Sequence, residues 1–419
     1  MEYRPAHEEY WNEAALERDM KQAFDICNGC RLCYNLCPSF PALFKFVEGH
    51  DDEASLLTHS ELDRVADLCF QCKICFVKCP YTPPHRFDLD FPRLMLRSRA
   101  VRAKKAGVSR TDRFLGDPER SGAMGTRTPG LANWANAAPF FRRILERNLG
   151  IDHRRRLPRY ARVRFSRWVS RQAPVPEPDA VLFATCTVEY NEPGLGQAAL
   201  AVLAHNGIKA AVPEGQRCCG MPALDGGDVE GAIERARTNI GLLAPYVARG
   251  IPIIALQPTC AYVLREEYPM LVEGEVASQV AAATVDLTDY LAGLARAGTL
   301  KTDFQHPVGP LTYHVSCHTR TMGGGARGRE LLKLIPGTEV VTVEQCAGID
   351  GTWGLKAEFF DEARKVARRL DRAIAQHPDH HMCSDCKLAG LQIEDTAGHA
   401  PSHPVEVLAR AYGITGSAS

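Results

Sequence analysis

No run of about 18 apolar residues occurs in the 419-residue sequence, which excludes a membrane-spanning helix of the usual kind. The first twenty residues are acidic and lack both an apolar stretch and a twin arginine, so no secretory leader is read and a cytoplasmic chain is expected. No Gly-x-Gly-x-x-Gly follows an apolar strand-like run, which argues against a flavin bound by this chain itself. Net charge is also missing, with 50 basic and 50 acidic residues. That zero conceals an asymmetry, because residues 92–171 carry 21 Lys and Arg against 5 Asp and Glu, leaving the rest of the chain at minus 16. With 45% hydrophobic and 24% charged residues, wholesale disorder is excluded, and the length suits two or three domains.

What the sequence has in quantity is cysteine, 16 in all. A reducing compartment disfavours a disulfide framework, so clustered cysteines point to metal. Two runs share one spacing: Cys27-x2-Cys30-x2-Cys33-x3-Cys37-Pro38 and Cys69-x2-Cys72-x2-Cys75-x3-Cys79-Pro80. Each is the bacterial ferredoxin pattern for a 4Fe–4S cubane, in which the fourth cysteine ligates the other cluster. Cys27, Cys30, Cys33 and Cys79 are therefore assigned to one cluster, and Cys69, Cys72, Cys75 and Cys37 to the other. Zinc prefers two C-x2-C pairs and fits this spacing poorly. Two cubanes in one small fold make a wire rather than a catalyst. The segment after Pro80, with Phe87, Leu89, Phe91, Leu94 and Met95, is expected to form a helical stretch on this domain.

The basic middle contains no cysteine. Residues 131–151 carry Trp134, Phe140, Phe141, Ile144 and Leu145 before Arg154-Arg155-Arg156, and residues 160–171 alternate arginines with Val163, Phe165, Trp168 and Val169. Such segments suit the surface of an anionic bilayer, and equally suit packing on the protein's own acidic domains. No nucleic-acid-binding signature accompanies the charge, so no nucleic-acid partner is expected. The proline-rich residues 173–178 read as a linker.

The C-terminal half reads as a duplication. Residues 180–184 form an apolar strand ending at Cys186, residues 208–212 are strand-like before Cys218-Cys219-Gly220, and the strand 251–256 ends at Cys260. In the second copy, the strand 311–315 ends at Cys317, residues 339–343 precede Cys346-Ala347-Gly348, and a helix around 357–375 leads to Cys383-x2-Cys386. Strands alternating with helices imply parallel α/β layers, whose sites gather at the carboxyl ends of the strands.

These halves resemble the cysteine-rich "CCG" domains of the heterodisulfide reductase catalytic subunit. The same pair occurs, after two ferredoxin motifs, in the iron–sulfur subunits of anaerobic glycerol-3-phosphate dehydrogenase and glycolate oxidase. The resemblance covers residues 20–100 and 179–413. The motif is C, then CC-G, then C-x2-C, and five such cysteines can hold a noncubane 4Fe–4S cluster. Here Val263 stands in place of the last cysteine of the first half, and Ala347 in place of one cysteine of the second. The expected metal ligands are thus Cys186, Cys218, Cys219 and Cys260, and then Cys317, Cys346, Cys383 and Cys386, serving one or two further iron–sulfur clusters or zinc. The second set, with its C-x2-C chelate, is the stronger expectation. His314, His318, His380 and His381 are nearby candidate ligands or proton donors, although each by itself reads as structural.

The expected fold is α+β: a helical two-cluster ferredoxin-like domain at 1–96, a basic connecting region at 97–178, and α/β cysteine-rich domains at 179–305 and 306–419. The expected function is an iron–sulfur electron-transfer subunit of an oxidoreductase complex. A flavin-containing dehydrogenase subunit or other redox protein would be its partner, with membrane quinone and anionic lipid as further candidates. Its place would then be peripheral, on the inner face of the plasma membrane. The competing reading is a disulfide or thiol reductase with the C-terminal cluster as its catalytic site. A regulatory iron–sulfur sensor is disfavoured by the absence of a DNA-binding motif.

Overall fold

The computed structural model describes residues 1–349 and 351–414. Its N-terminal part is helical. Helix Glu13–Cys30 starts at Asn12, whose side chain accepts from the Ala15 amide, and ends where Arg31 turns left-handed at φ 54°. Helices Ser39–Glu48 and His59–Asp67 follow, the second opened by a capping box of Thr58 and Glu61. Phe24, Phe40, Phe44, Leu94 and Met95 form the core between them. Leu94 and Met95 come from helix Phe91–Ala106, which runs across the expected boundary at residue 96. The helical stretch expected directly after Pro80 begins only at Phe91, so Phe87 lies in the preceding loop.

Two parallel sheets make up the C-terminal half. Strands β1 (Ala180–Phe183), β2 (Ala210–Ala211), β3 (Ile253–Ala255) and β4 (Thr284–Asp286) lie in the order β2-β1-β3-β4. Strands β5 (Leu311–His314), β6 (Val340–Val343) and β7 (His381–Ser384) lie in the order β6-β5-β7. The duplication extends beyond these strands. β4 has a remnant counterpart in Ser402, which bridges Cys383 in parallel and exchanges backbone hydrogen bonds with Met382 and Ser384 at 2.9 Å each. Asp286 then caps helix Leu287–Arg296, and His403 caps helix Pro404–Ala411. β1, β3, β5 and β7 carry residues that are almost wholly buried, as strands covered on both faces require.

The two halves share one core, in which Leu195, Val202, Leu287 and Leu291 meet Leu331, Leu332, Val405 and Leu408. Phe165 is fully buried in the same cluster, and Trp168 stacks on it at 5.9 Å. Residues 160–171 are thus anchored through Phe165, while Arg162, Val163, Arg167 and Arg171 stay exposed.

Part of the basic middle is tied down by the protein's own groups, while Arg110, Arg120, Arg127, Arg143, Arg147, Arg162 and Arg167 are exposed. Arg97, fully buried, bonds Asp19 at 2.6 Å, and Arg99 pairs with Asp225. Arg156 reaches Glu394 and Asp395 at 2.6 and 3.1 Å. Arg142 and Arg155, both buried, donate to the carbonyl oxygens of Asp152 and Gly354. An apolar face is exposed as well, on helices Pro129–Ala137 and Pro139–Leu149, where Leu131, Trp134 and Phe140 are 63%, 57% and 70% exposed.

Candidate metal centres

Cys27 and Cys30 occupy the last turn of helix Glu13–Cys30, Cys75 lies in the short helix Ile74–Lys78, and Cys79 ends that helix. The fold brings the fourth cysteine of each run beside the other run. Cys27 has Cys33, Cys79 and Cys30 as its charge neighbours, whereas Cys37 has Cys69 and Cys72. Burial, reinforced by these neighbours, raises the Cys33 thiol to about 11 and pushes Cys37 and Cys75 well above the ordinary range. Cys27, Cys33, Cys37, Cys69, Cys75 and Cys79 all resist ionisation on their own, as a donor set does when no metal takes up its negative charge. Cys33 and Cys72 also feel one another, so the two sets are adjacent.

In the first cysteine-rich half, Thr185 caps the helix that starts at Cys186. Cys218 and Cys219 precede Gly220, whose φ of +96° belongs to glycine. Cys260 sits on the short helix Pro258–Tyr262 past β3. The four sulfurs form a chain. Cys186 and Cys219 donate to Cys218, which is thereby held well below the ordinary thiol range, and Cys219 also reaches Cys260. Cys218, Cys219 and Cys260 are buried. Val263 fills the fifth position and is completely buried.

The second half repeats this construction. Ser316 caps the helix that starts at Cys317, as Thr185 does for Cys186. Cys346 and Ala347 precede Gly348, where φ is +63° and any Cβ would lie 2.1 Å from the Ala363 carbonyl oxygen. Cys317 lies within hydrogen-bond reach of Cys346 and of Cys72 from the second ferredoxin run. Here the expectation for Cys383 is corrected. Cys383 lies within β7 opposite Tyr313, and it is fully buried in the core shared by the two halves. Cys317, Cys346 and Cys386 line one cavity together with Cys72, and Cys383 does not. The physical reason is strand alternation: Cys383 points away from the face that presents the other thiols. Cys386, at the N-cap of helix Lys387–Ala397 past β7, takes the place of Gln257 at the N-cap of helix Pro258–Tyr262 past β3, and Ala389 takes that of Cys260. Cys317, Cys346 and Cys386 thus meet Cys72 around one cavity, whereas the first half draws its four thiols from its own residues.

The candidate histidines are already engaged. His318 donates from Nε2 to the Gln71 carbonyl at 3.2 Å, so its Nδ1 accepts from Thr259 at 2.9 Å. His314 donates from Nε2 to the Gln345 carbonyl and accepts from Ser384, both at 3.0 Å. Burial lowers both rings to about 4, which keeps them neutral. His380 bonds Thr312 and His381 bonds Ser402.

Sequence reasoning missed a buried ion cluster at the junction of these sites. Lys73, between Cys72 and Cys75, bonds Glu267 at 2.9 Å, and Arg93 bonds the same carboxylate at 3.2 Å. Its only sequence signal is a lysine inside a cluster loop.

The donor sets fit iron–sulfur clusters better than single ions. Tetrahedral zinc with Zn–S bonds of about 2.3 Å draws its sulfurs to roughly 4 Å of one another. Among the described residues, no three of the thiols converge within 4.8 Å. The one triad that does is Glu146, Asp152 and His153, and Arg154 already pairs with its Asp152.

Comparison with known proteins agrees with this construction. The model of the Citrate utilization protein B Fer4-like domain matches residues 20–106, and that of the cysteine-rich CCG domain matches residues 180–265 and 311–390. One subunit of the anaerobic glycerol-3-phosphate dehydrogenase of Escherichia coli (strain K12) is 32% identical over 308 residues, which cover 71% of this chain and 76% of that protein. Lactate utilization protein A of Geobacillus sp. (strain WCH70) is 30% identical over 216 residues, covering 49% of this chain and 86% of that protein. One subunit of the fumarate reductase (CoM/CoB) of Methanothermobacter marburgensis is 29% identical over 219 residues, covering 51% of this chain and 41% of that protein. With its ferredoxin-like domain, its paired cysteine-rich domains and this degree of identity, the chain belongs to the family of iron–sulfur electron-transfer subunits that includes the matched subunit of anaerobic glycerol-3-phosphate dehydrogenase.

Proposed function

We propose that this protein conducts electrons between a flavin-containing dehydrogenase subunit and a membrane quinone, through two 4Fe–4S cubanes and a cysteine-ligated centre behind them. The cubanes are held by Cys27, Cys30, Cys33 and Cys79, and by Cys37, Cys69, Cys72 and Cys75. Cys186, Cys218, Cys219 and Cys260 supply a further four-thiol centre. The observation that carries this reading is continuity: Cys33 neighbours Cys72, and Cys72 touches Cys317. Thiols from the two cubane sets and the second cysteine-rich half thus form one uninterrupted line, as electron hopping requires. The anaerobically purified protein should contain at least about eight irons and matching sulfide, four for each ferredoxin set. Iron and sulfide near zero, with zinc present, would exclude the conducting role.

The protein's station in this reading is peripheral, on the inner membrane face. No helix among the described residues is long and apolar enough to cross a bilayer. The exposed face of Leu131, Trp134, Phe140, Phe141 and Ile144, flanked by Arg143 and Arg147, suits insertion at an anionic surface. Each arginine near such a surface contributes about 1 kcal/mol. The protein should float with anionic vesicles and lose flotation when Trp134, Phe140 and Phe141 are replaced by serine. Retained flotation in that triple variant would move the contact elsewhere.

A further inference from the structure

We propose that Lys73 sets the reduction potential of the second cubane, its buried ammonium raising a potential that burial of the site by itself would lower. This rests on the reading that Cys37, Cys69, Cys72 and Cys75 hold a 4Fe–4S cluster, and it sets the two cubanes apart.

The two ferredoxin runs make the comparison internal. Arg31 follows Cys30 as Lys73 follows Cys72, so each run carries one basic residue between its second and third thiols. Both backbones turn left-handed there, with φ of 54° and 61°. Their surroundings differ. The Arg31 side chain is 41% exposed and pairs with Glu48 at the surface. The Lys73 side chain is 1% exposed, with its ammonium 2.9 Å from Glu267 and 5.6 Å from the centre of the Tyr262 ring. Water and salt screen the first charge, and they have little access to the second.

The cluster sites differ in the same sense. Cys69 and Cys75 are buried, whereas all four thiols of the first set, Cys27, Cys30, Cys33 and Cys79, are partly exposed. A cubane on four thiolates is anionic and gains a further negative charge on reduction. Taking it out of water therefore disfavours the reduced form. Without compensation, the second cubane would be an uphill step for an electron arriving from the first. Hydrogen bonds to sulfur do not single out either site, because both receive them. Gln71 donates to Cys69 and the Tyr81 amide to Cys79, at 3.4 Å each. Buried charge is what separates the two.

The balance of that charge gives the sign. Arg93 bonds Asp90 at 3.3 Å and Glu267 at 3.2 Å, and Lys73 completes a set of two acids and two bases. Without Lys73 the set carries a net negative charge beside an anionic cluster. Lys73 is also the member that lies between two cubane ligands. Burial pushes the Cys69 thiol up, and Arg99 and Lys73 oppose it. Arg99 is itself paired with Asp225.

The test is a redox titration of the full-length protein, reconstituted anaerobically and followed by electron paramagnetic resonance. The second cubane's signal is the one lost in Cys69→Ala, and the first cubane's is the one lost in Cys30→Ala. Lys73→Met should lower the reduced-to-oxidised ratio of the second cubane about tenfold at a fixed poise, about 59 mV for one electron. Arg93 still pairs with Glu267 in this variant, so no buried acid is stranded. Lys73→Arg should titrate like wild type, and Glu267→Gln should shift the second cubane upwards. Arg31→Met, the same change at the exposed position, should leave the first cubane where it is. An unmoved second cubane in Lys73→Met, an equal fall in Lys73→Arg, or a shift of the first cubane in Arg31→Met as large as that in Lys73→Met would each overturn the proposal. Should Lys73→Met fail to take up the cluster, Glu267→Gln decides, and the absence of an upward shift there overturns the proposal as well. If Cys69→Ala loses neither iron nor a signal, the cubane reading itself fails, and the proposal with it.

Discussion

Replacing Glu267 with alanine is expected to lower stability by about 3–5 kcal/mol, the usual consequence of breaking a buried ion pair from one side. Lys73 and Glu267 are 1% and 3% exposed, so Lys73 would be stranded without water or counter-charge, and Arg93 would lose a partner it bonds at 3.2 Å. The effect should reach the second cubane, because Lys73 is held left-handed at φ 61° between two of its ligands. Urea denaturation under anaerobic conditions should show a markedly lower midpoint for Glu267→Ala. A midpoint equal to wild type would mean that the pair adds nothing net. The pH dependence has a definite sign. Burial opposes the Glu267 charge, but Arg93 and Lys73 outweigh it and hold the carboxyl down at about 2, against an ordinary value of 4.5. A depressed carboxylate contributes its full stabilisation above the unfolded value, and this is lost as pH falls through the folded one. The gap between wild type and Glu267→Ala should therefore be constant from neutrality to about pH 4.5 and narrow below it.

Cys79→Ala is expected to remove about four irons, and the cluster lost should be that of the other run. Charge neighbours place Cys79 with Cys27, Cys30 and Cys33. Double variants make the exchange measurable, because two changes to one site do not add whereas changes to separate sites do. Cys30→Ala combined with Cys79→Ala should lose no more iron than either alone. Cys69→Ala combined with Cys79→Ala should lose about eight. The opposite pattern would show that each run holds its own cluster. Cys37→Ala gives the mirror result, non-additive with Cys69→Ala.

The ferredoxin runs, the duplicated strand–cysteine order and the α+β class are legible in the sequence because they rest on local constraints. Thiol spacing is fixed by the size of a cluster. Gly220 and Gly348 must be glycine because their backbones turn to positive φ. Cys383 shows where such reading stops. Its spacing to Cys386 imitates a chelate, but spacing does not say which face of a strand a side chain takes, and pairing opposite Tyr313 sends Cys383 into the core.

The basic middle divides in the same way. Composition reveals the arginine surplus, yet whether an arginine meets lipid or an aspartate depends on partners far along the chain. Arg156 finds Glu394 and Asp395 more than two hundred residues away, and Phe165 is buried against helix Pro193–His205 of the first half. By itself the sequence determined which residues can hold clusters and in what local frames, because ligand spacing, capping and glycine turns act within a few residues. Only the tertiary structure decided that Cys72 meets Cys317, that Lys73 meets Glu267 and that Cys383 lies in the core, away from the cavity that Cys386 borders. Each of those depends on strand register and on the docking of segments distant in sequence, which no local pattern encodes.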